Sequence, residues 1–529
     1  MSPSLLASRP KSTYLFSVVS GILIILSQPP FSLFPVAFIA LIPLILSLKR
    51  DDARHNFTSG FITGAVSFLG LVYWVVIAMN RYGGIDIFSS FLILLLLVLY
   101  LSFYIGIFAV SAPYLEKTLS IPLFITAPIV WILLEYLRGI VLTGFPWSLM
   151  AYSQFRFLPL IQVISVTGPY FISFLLVAIN CIAYRVIVVG RKKSVAIYRL
   201  TGSTPFTAGS KRVFLAYTAF ILIFLVASLI YGYNRLIIKN EGNLKALIIQ
   251  GNIPQNVKWD EAFKIKTVKT YCQKTAEEGK DIDLIIWPET AMPFIFDEEP
   301  YVNRFIKELP YLLHSSLLFG TVSIDGNRRY HNTAYLYGDD GRLAGRYDKV
   351  HLVPFGEYTP LVKYFPFLIK ITAAGGDFHS GKSHEPIATA IGKTGKIGIL
   401  ICYEGTFPSI TNDTVKGGGQ VLVNITNDGW FGKTSAPYQH LVFYIFRAIE
   451  TDRYVLRAAN TGISAIIDPR GRINGKTSIF KEEVLRGMFS LRDGQTLYVR
   501  YGDYFILLSF FFLAMACGFK RLKLKKKKR

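Results

Sequence analysis

The segment KIGILICYEGTFP, residues 396–408, combines a buried-strand pattern with a reactive side chain. Its first half is a short apolar run that ends at Cys402, and Tyr403 and Glu404 begin the turn that follows. Short apolar runs bounded by turn residues are typical of strands inside a layered α/β domain. Side chains at the ends of such strands lie at the edge of the sheet, where binding and catalytic residues concentrate. The segment therefore predicts a buried strand that presents Cys402 as a candidate nucleophile.

Similar apolar runs recur between residues 240 and 500. They are LKALIIQ (244–250), DLIIWPE (283–289), LLFGTV (317–322) and VLVNIT (421–426). Helix-length stretches alternate with these runs, at 259–279, 298–314 and 436–459. This alternation predicts one α/β domain with a single sizeable core, whose limits we expect at 240–495.

Long apolar runs surround this region. A helix needs about 20 mostly apolar residues to cross a bilayer. Runs of suitable length lie at 12–28, 31–48, 57–79, 88–112, 121–143, 161–184, 213–233 and 503–519. The 529 residues are 52% hydrophobic and only 17% charged, which excludes a disordered chain or a disulfide scaffold. We expect about eight transmembrane helices, seven in an N-terminal domain at 1–235 and one at 503–519.

Basic residues indicate how the chain is oriented. The net charge is +23, and 8 positive charges lie in the tail at 520–529. The loop at 185–212 and the pair Lys49-Arg50 are also basic. Because cytoplasmic loops are enriched in Lys and Arg, we expect both termini in the cytoplasm and the α/β domain in the periplasm, in a multi-pass protein of the cell inner membrane. The tail is interpreted as a contact to anionic lipid and not to nucleic acid.

The cysteine and histidine spacings predict no metal. Cys181, Cys272, Cys402 and Cys517 form no C-x-x-C pair, and the seven histidines show no H-E-x-x-H pattern. Neither a structural metal nor a disulfide framework is expected.

Two charged residues interrupt the apolar run at 121–143. Glu135 and Arg138 are three positions apart and so share a helix face. One interpretation is an ion pair that allows both residues to enter the membrane. The other is a polar group that faces a lipid or substrate cavity, because charges inside a membrane usually face inward. The sequence leaves both open.

Three reactive side chains lie at the edges of strand-like segments. Glu289 ends DLIIWPE, Lys349 lies in GRYDKVHLVPFGEY (345–358), and Cys402 ends KIGILIC. A thiol needs a base, and its attack on a carbonyl needs a cation or N–H donors to hold the oxyanion. Taken singly, these residues have ordinary interpretations as a turn residue, a solvated charge and a buried thiol. Together they supply base, cation and nucleophile.

The local sequences resemble the Glu, Lys and Cys motifs of the nitrilase superfamily. These motifs are WPET (287–290), GRYDKVHLVPFGEY (345–358) and ICYEGTFP (401–408). Four further stretches narrow the resemblance to its membrane-bound apolipoprotein N-acyltransferase family: EYLRGIVLTGFPWSLMAYSQ (135–154), QGNIPQNVKWD (250–260), NITNDGWFG (424–432) and RAIETDRYVLRAANTGIS (447–464), the last interpreted as a helix. The resemblance implies a membrane helical bundle with a nitrilase-like αββα sandwich.

The resemblance also implies catalytic roles. Cys402 is expected to be the nucleophile and Glu289 the general base. Lys349 is expected to stabilise the tetrahedral oxyanion together with the backbone N–H of Tyr403, and Glu357 to hold Lys349 in place.

Four residues match positions of the family's pocket and lid: Trp259, Trp430, Tyr403 and Glu404. Ordinary packing in a chain with 15% aromatic residues is an equal alternative for them.

The implied activity is acyl transfer in two half-reactions without a cofactor, the last step of bacterial lipoprotein maturation. Cys402 is expected to take an acyl chain from a membrane glycerophospholipid. The α-amine of the S-diacylglyceryl-cysteine of an apolipoprotein then discharges the thioester. Two alternatives stay open: a membrane-tethered amidase or nitrilase acting on small amides, and a non-catalytic receptor in which Cys402 is structural. Eight spans favour the acyltransferase, because both of its substrates are anchored in the bilayer.

Overall fold

The computed structural model describes residues 10–49, 51–190, 208–239, 241–255, 257–359 and 378–528. Most of the predicted basic loop at 185–212 lies outside the described residues. Internal contacts divide the described chain into two compact units. The first consists of residues within Met1–Tyr73, Leu92–Arg235 and Asp503–Arg529. The second consists of residues within Trp74–Phe91 and Leu236–Gly502.

The first unit is helical. Its helices are bounded by Pro10–Ser27, Ile42–Ser47, Ala53–Val72, Ile87–Leu119, Leu123–Arg138, Leu158–Ile161, Ile164–Thr167, Tyr170–Gly190, Ala208–Ile237 and Tyr504–Lys528. Short 3-10 turns lie at Phe34–Phe38, Val141–Thr143 and Met150–Gln154. Many large apolar side chains on these helices are exposed, as on a surface that contacts lipid.

Four segments of the described chain are long and apolar enough to cross a membrane: Ile87–Leu119, Tyr170–Ile187, Lys211–Ile237 and Tyr504–Lys523. Ala53–Val72 and Trp74–Tyr82, bent by 43° at their junction, make a fifth if they are counted as one span. The other apolar helices are shorter. The expected count of eight spans stays a prediction.

The apolar stretch at 31–48 differs from the predicted spanning helix. It forms two short helices, Phe34–Phe38 and Ile42–Ser47. Pro35 and Pro43 each lie in the first turn of one of them. Proline is tolerated in a first turn, but it has no N–H to donate and its ring would clash with a preceding helical turn, so no continuous helix runs through either proline.

The second unit contains two β-sheets. Its strands are β1 (Leu244–Gln250), β2 (Leu284–Ile286), β3 (Met292–Ile295), β4 (Ser316–Ile324), β5 (Tyr330–Tyr337), β6 (Leu343–Asp348), β7 (Ile387–Thr389), β8 (Gly395–Ile401), β9 (Val421–Thr426), β10 (Val455–Ala459), β11 (Ala465–Ile467), β12 (Ile473–Lys476) and β13 (Glu483–Phe489). One sheet has the order β13-β1-β2-β4-β5-β6, with β3 paired to β4, and the other has the order β12-β11-β10-β9-β8-β7. All five predicted strands are present.

The two sheets pack face to face. Side chains such as Ile248 and Ile286 of one sheet share a buried cluster with Ile399 and Val423 of the other. A second cluster lies on the outer face of the first sheet, beneath Glu261–Glu278 and Pro300–Leu313. The further helices of this unit are Trp74–Ile77, Pro408–Lys416, Ala436–Thr451 and Leu497–Tyr501, with a π-helical turn at Ala78–Tyr82 and 3-10 turns at Phe296–Glu298, Cys402–Thr406 and Asp428–Phe431. The predicted αββα sandwich is confirmed.

The predicted helix at 436–459 was too long. The helix ends at Thr451, and Asp452 has a left-handed backbone with φ of +56°. Residues Val455–Ala459 form β10, which pairs with β9 on one side and β11 on the other. Backbone hydrogen bonds to a neighbouring strand on each side outweigh the helix propensity of this stretch.

Candidate active site

Glu289 lies just beyond the carboxyl end of β2. Gly320 of the neighbouring strand β4 lies directly against this residue. A Cβ at position 320 would lie 2.7 Å from Cα of Glu289. The carboxylate is buried and accepts two hydrogen bonds. Asn332 Nδ2 donates to Oε1 at 2.7 Å, and the backbone N–H of Asn427 donates to Oε2 at 2.8 Å. Both sheets therefore hold the carboxylate in one orientation.

Lys349 follows β6 and is 1% exposed. Its Nζ lies 2.9 and 2.8 Å from the two carboxylate oxygens of Glu357 and 3.8 Å from Oε1 of Glu289. The backbone N–H of Val353 donates to Oε2 of Glu357 at 2.8 Å and holds that carboxylate in turn. Glu357 thus lies in the position expected of it, as the direct partner of Lys349.

Asn332 on β5 is a site residue that the sequence reasoning missed. Its Nδ2 donates to Glu289 at 2.7 Å and to Glu357 at 2.8 Å, so one amide joins the two carboxylates. Its backbone carbonyl also accepts from the N–H of Lys349 at 2.8 Å. The strand YHNTAYLY was not recognised, and an Asn at a strand end has no distinctive signal without its spatial partners.

Cys402 follows β8 and begins a 3-10 turn. Its φ of +51° lies in the left-handed region, which costs a residue with a Cβ about 1–3 kcal/mol. Tyr444 donates its hydroxyl to the carbonyl of Cys402 at 2.7 Å. Gly405 makes room for this ring, since a Cβ there would lie 2.3 Å from it. A backbone strained and held in this way is typical of a presented nucleophile.

The charges of the three side chains are coupled. Burial raises the pKa of the Cys402 thiol and Glu289 raises it further, while Lys349 lowers it. Burial also raises the pKa of Glu289, against the lowering effect of Lys349. Burial disfavours the Lys349 ammonium, but Glu357, Cys402 and Glu289 together raise its pKa above the ordinary value. These directions describe a protonated thiol and a fixed ammonium beside a buried carboxyl group whose ionisation burial disfavours.

Glu404 is fully buried and joins two segments of the chain by hydrogen bonds. Its Oε1 accepts hydrogen bonds from the Tyr347 hydroxyl and from the backbone N–H groups of Val350 and His351, at 2.9, 2.8 and 3.1 Å. Its Oε2 accepts from the N–H of Ile401 at 2.7 Å. Burial raises the pKa of Glu404 to about 6, against the lowering by these donors. Glu404 therefore ties the loop after Lys349 to the end of β8.

A buried charged network lies behind Cys402, and the sequence reasoning missed it as well. Asp428 lies 2.9 Å from Nδ1 of His440 and 2.7 Å from Nη2 of Arg457. Burial opposes its charge, yet Arg457 and His440 lower the pKa of Asp428 to about 2. The Arg457 guanidinium lies 4.7 Å from the ring centre of Tyr444, whose hydroxyl holds the Cys402 carbonyl. The network thus packs against the tyrosine that holds the backbone of Cys402.

The aromatic candidates differ in exposure. Trp259 is 54% exposed. Trp430 is half-buried, with its ring centre 6.4 Å from that of Tyr82. Tyr403 packs edge-on against Phe407 at 5.0 Å. None of these contacts by itself assigns a role in binding substrate.

Trp74, which follows the bend between Ala53–Val72 and Trp74–Tyr82, packs on the loop that carries Trp430. Trp74 donates Nε1–H to Gln439 at 3.2 Å, and its ring lies edge-on 4.8 Å from Phe431. Residues Trp74–Phe91 lie inside the predicted N-terminal domain, yet they belong to the second compact unit. The sequence pattern gave no sign of this, because the stretch begins inside the apolar run 57–79 and ends inside the run 88–112.

Lys258, next to Trp259, is also buried at the site. Its Nζ donates to the backbone carbonyl of Glu289 at 3.1 Å. Burial lowers its pKa to about 8, against the raising effect of the Glu289 carboxylate. Lys258 therefore holds the backbone of the turn that carries Glu289.

Replacing Asn332 by Leu is expected to weaken catalysis and shift its pH dependence. A hydrogen bond to a charged group contributes about 1.5–3 kcal/mol, so kcat/KM should fall roughly 10- to 100-fold. Asn332 lowers the pKa of Glu289, so its loss raises that pKa. As the expected general base, Glu289 is active as the carboxylate, so we expect activity to be lost at a higher pH than in the unaltered protein as the pH falls. The measurement is a pH–rate profile of acyl transfer.

Asn327→Leu, on the exposed turn between β4 and β5, is the matched control and should leave the profile unchanged. An Asn332→Leu profile whose acid limb coincides with that of the unaltered protein contradicts the bridging role.

Comparison with known families identifies both parts of the chain. Residues 245–497 match the carbon-nitrogen hydrolase family, and residues 20–182 match the apolipoprotein N-acyltransferase N-terminal domain. The αββα sandwich is therefore a carbon–nitrogen hydrolase domain.

Comparison with curated proteins extends over nearly the full length. The chain is 42% identical to the apolipoprotein N-acyltransferase of Geobacter metallireducens, over 94% of this chain and 93% of the relative. It is 31% identical to that of Methylococcus capsulatus, over 93% and 92%. Among solved structures, Saccharomyces cerevisiae Nit3 of the nitrilase superfamily matches 46% of this chain and 89% of its own, at 20% identity and a TM-score of 0.36. The chain belongs to the apolipoprotein N-acyltransferase family and is a membrane-bound acyltransferase.

Proposed function

We propose that this protein transfers an acyl chain from a membrane glycerophospholipid to the α-amine of the S-diacylglyceryl-cysteine of apolipoproteins, through a thioester on Cys402. The observation that carries this proposal is the position of Cys402 at a strained turn, coupled electrostatically to Glu289 and Lys349. The curated relatives named above are called apolipoprotein N-acyltransferases, which supports the acceptor and the N-acylation in this proposal. No cofactor or metal takes part in the scheme.

In the first half-reaction, Glu289 removes the thiol proton as Sγ of Cys402 attacks the ester carbonyl of the phospholipid. The oxyanion of the tetrahedral intermediate is stabilised by the Lys349 ammonium and the backbone N–H of Tyr403. When the intermediate collapses, the C–O bond breaks and the leaving glycerol oxygen takes the proton from Glu289. The products are the thioester and a lysophospholipid.

In the second half-reaction, the neutral α-amine of the apolipoprotein attacks the thioester carbonyl. Glu289 takes a proton from the attacking nitrogen, and the C–S bond breaks as the amide forms. The proton returns to the sulfur of Cys402. Lys349 serves both half-reactions, since the same carbonyl oxygen becomes negative in each.

The same proposal includes a position in the cell. Helix Ala208–Ile237 carries Lys211 and Arg212 near its start, and Tyr504–Lys528 ends in a basic run. By the preference of basic residues for the cytoplasm, both termini are cytoplasmic and the domain at 240–495 is periplasmic, in a bacterial inner membrane. Residues 1–235 and 503–519 anchor it, and 520–529 form a cytoplasmic tail.

Mass spectrometry of the purified protein tests the proposal. After exposure to phospholipid without acceptor, the peptide that contains Cys402 should gain the mass of one fatty acid less one water. Hydroxylamine should remove the group, and a diacylglyceryl peptide with a free amine should discharge it. The physical reason is that a site that excludes water preserves the thioester until the amine arrives.

Two results would change the assignment. Loss of the phospholipid acyl chain only when acceptor is present would replace the covalent intermediate by direct transfer. Discharge of the adduct by water as fast as by the amine would favour the amidase or hydrolase alternative.

A further inference from the structure

Trp74 begins a segment that packs against the catalytic domain. Its side chain is 6% exposed, and residues Trp74–Phe91 belong to the same compact unit as Glu289 and Cys402. A buried indole contributes a large apolar surface, and its N–H needs a hydrogen-bond acceptor. That acceptor is Oε1 of Gln439, 365 residues later in the chain, at 3.2 Å. The indole therefore joins this early segment to the domain by a specific contact.

The indole ring also contacts the loop at 427–432. It lies edge-on to Phe431, with the two ring centres 4.8 Å apart. Further along the same segment, the ring centre of Tyr82 lies 6.4 Å from that of Trp430. Aromatic pairs at such separations add to the stabilisation that burial gives. The segment thus holds two neighbouring side chains of this loop.

The loop at 427–432 holds the expected general base. The backbone N–H of Asn427 donates to Oε2 of Glu289 at 2.8 Å. The side chain of Asn427 caps the short 3-10 turn Asp428–Phe431 by accepting from the N–H of Gly429. Because the turn is short and capped, a displacement of Phe431 also displaces the donor at Asn427. The orientation of the Glu289 carboxylate therefore depends on where Phe431 is held.

Helix Ala436–Thr451 holds the expected nucleophile. Gln439, the partner of Trp74, lies near the start of this helix. Tyr444 lies further along it and donates its hydroxyl to the carbonyl of Cys402 at 2.7 Å. Backbone hydrogen bonds make a helix stiff, so a shift at Gln439 is transmitted to Tyr444. The same indole thus contacts the supports of both Glu289 and Cys402.

We propose that Trp74 is a positioning residue for catalysis, which acts on Glu289 through the loop at 427–432 and on Cys402 through helix Ala436–Thr451. This inference rests on the proposed function, since that function assigns the chemistry to Glu289 and Cys402. It extends the function by making a segment outside residues 240–495 part of the support of the active site. Residues 240–495 by themselves lack this support.

Loading of Cys402 from p-nitrophenyl butyrate tests the inference on the purified full-length protein, because this soluble ester reports the chemistry without a membrane lipid. A displacement of about 1 Å can cost roughly 100-fold in rate, so Trp74→Ala should lower kcat about 10- to 100-fold and change KM less than about twofold. Trp74→Phe keeps a ring against Phe431 but loses the N–H to Gln439, and its kcat should fall only about 2- to 10-fold. Phe88→Ala is the matched control, since Phe88 is a 75% exposed aromatic residue of the same segment, and it should leave loading unchanged.

A double-variant cycle tests the route to the nucleophile. Tyr444→Phe removes the hydroxyl that holds the Cys402 carbonyl and should itself lower kcat. If Trp74 acts through this hydroxyl, Trp74→Ala should lower kcat less in Tyr444→Phe protein than in the unaltered protein. Losses that multiply in full would overturn the route through helix Ala436–Thr451.

Hydrogen exchange separates this inference from the proposed chemistry, because it needs no substrate. Amides in a firmly held segment exchange only when that segment opens. In Trp74→Ala protein, peptides that cover 427–432 and Ala436–Thr451 should exchange at least about tenfold faster, while the peptide that covers β4 should be unchanged. Unchanged exchange at 427–432, or an unchanged kcat for the nitrophenyl ester, would overturn the inference.

Three other results have distinct meanings. Faster exchange in β4 as well, with a lower melting temperature in both Trp74→Ala and Trp74→Phe, would make Trp74 a general stabilising residue and overturn the inference. A raised KM for phospholipid with normal loading from the nitrophenyl ester would make Trp74 a lipid contact and overturn it too. Absence of any thioester on unaltered protein from either donor would instead overturn the proposed function, and hydrogen exchange would then decide whether Trp74 holds the loop and the helix.

Discussion

Cys402→Ala is expected to abolish both thioester formation and acyl transfer, with activity reduced on the order of 10⁴-fold or more. Without the sulfur there is no atom to carry the acyl group, and Glu289 and Lys349 have no nucleophile to serve. Removing one partly buried thiol should cost about 1 kcal/mol of stability, because little contact area is lost. Activity is measured by transfer of labelled acyl chains to a diacylglyceryl peptide.

Cys272→Ala is the matched control for this variant. Cys272 is also partly buried, in helix Glu261–Glu278, and burial likewise raises its pKa. It lies away from Glu289 and Lys349 in the sheet's outer cluster, so its loss should leave transfer intact. Substantial transfer by folded Cys402→Ala protein would remove Cys402 from the mechanism and favour a structural thiol.

Lys349→Met is the second variant with a large expected effect. Removing a prepositioned oxyanion donor costs about 100- to 1000-fold in kcat. Lys349 also lowers the pKa of Cys402 and of Glu289, so its removal makes the thiol harder to ionise. Lys349→Arg should not restore activity, because a planar guanidinium does not fit a space shaped around a compact ammonium and held by Glu357. Single-turnover loading of Cys402 measures the effect.

Stability needs a separate control, because Lys349→Met leaves buried carboxylates without their cation. Breaking such a pair costs about 3–5 kcal/mol. The double variant Lys349→Met with Glu357→Gln removes both charges and should recover much of the melting temperature while staying inactive. Lys416→Met, an exposed lysine at the end of helix Pro408–Lys416, should behave like the unaltered protein. A stable double variant that loads Cys402 at a near-normal rate would refute the oxyanion role.

The sequence was informative wherever a short stretch carried its own pattern. The run KIGILIC predicted β8 and its terminal cysteine, and DLIIWPE predicted β2 with Glu289 after it. These strands are buried on both faces, so their hydrophobic runs are continuous and easy to recognise. The helix at 436–459 was overextended because Val455–Ala459 has a mixed local preference, and pairing to two distant strands decides its state.

Local sequence patterns did not determine which residues, distant in the chain, contact each other in the folded protein. Asn332 joins two carboxylates that lie 43 and 25 residues away in the chain. Asp428, His440 and Arg457 form one network from three separate elements. Each of these residue types is common in turns and helices, so no spacing in the sequence distinguishes them.

By itself, then, the sequence determined the membrane-anchored α/β organisation and the family, and it predicted the three reactive residues, because apolar periodicity and contiguous motifs are local properties of the chain. Only the tertiary structure decided how those residues are held. It brought Asn332, Glu357 and Asn427 to the Glu289 and Lys349 side chains. Hydrogen bonds act over about 3 Å, so partners distant in the chain become identifiable only when folding brings them within that range.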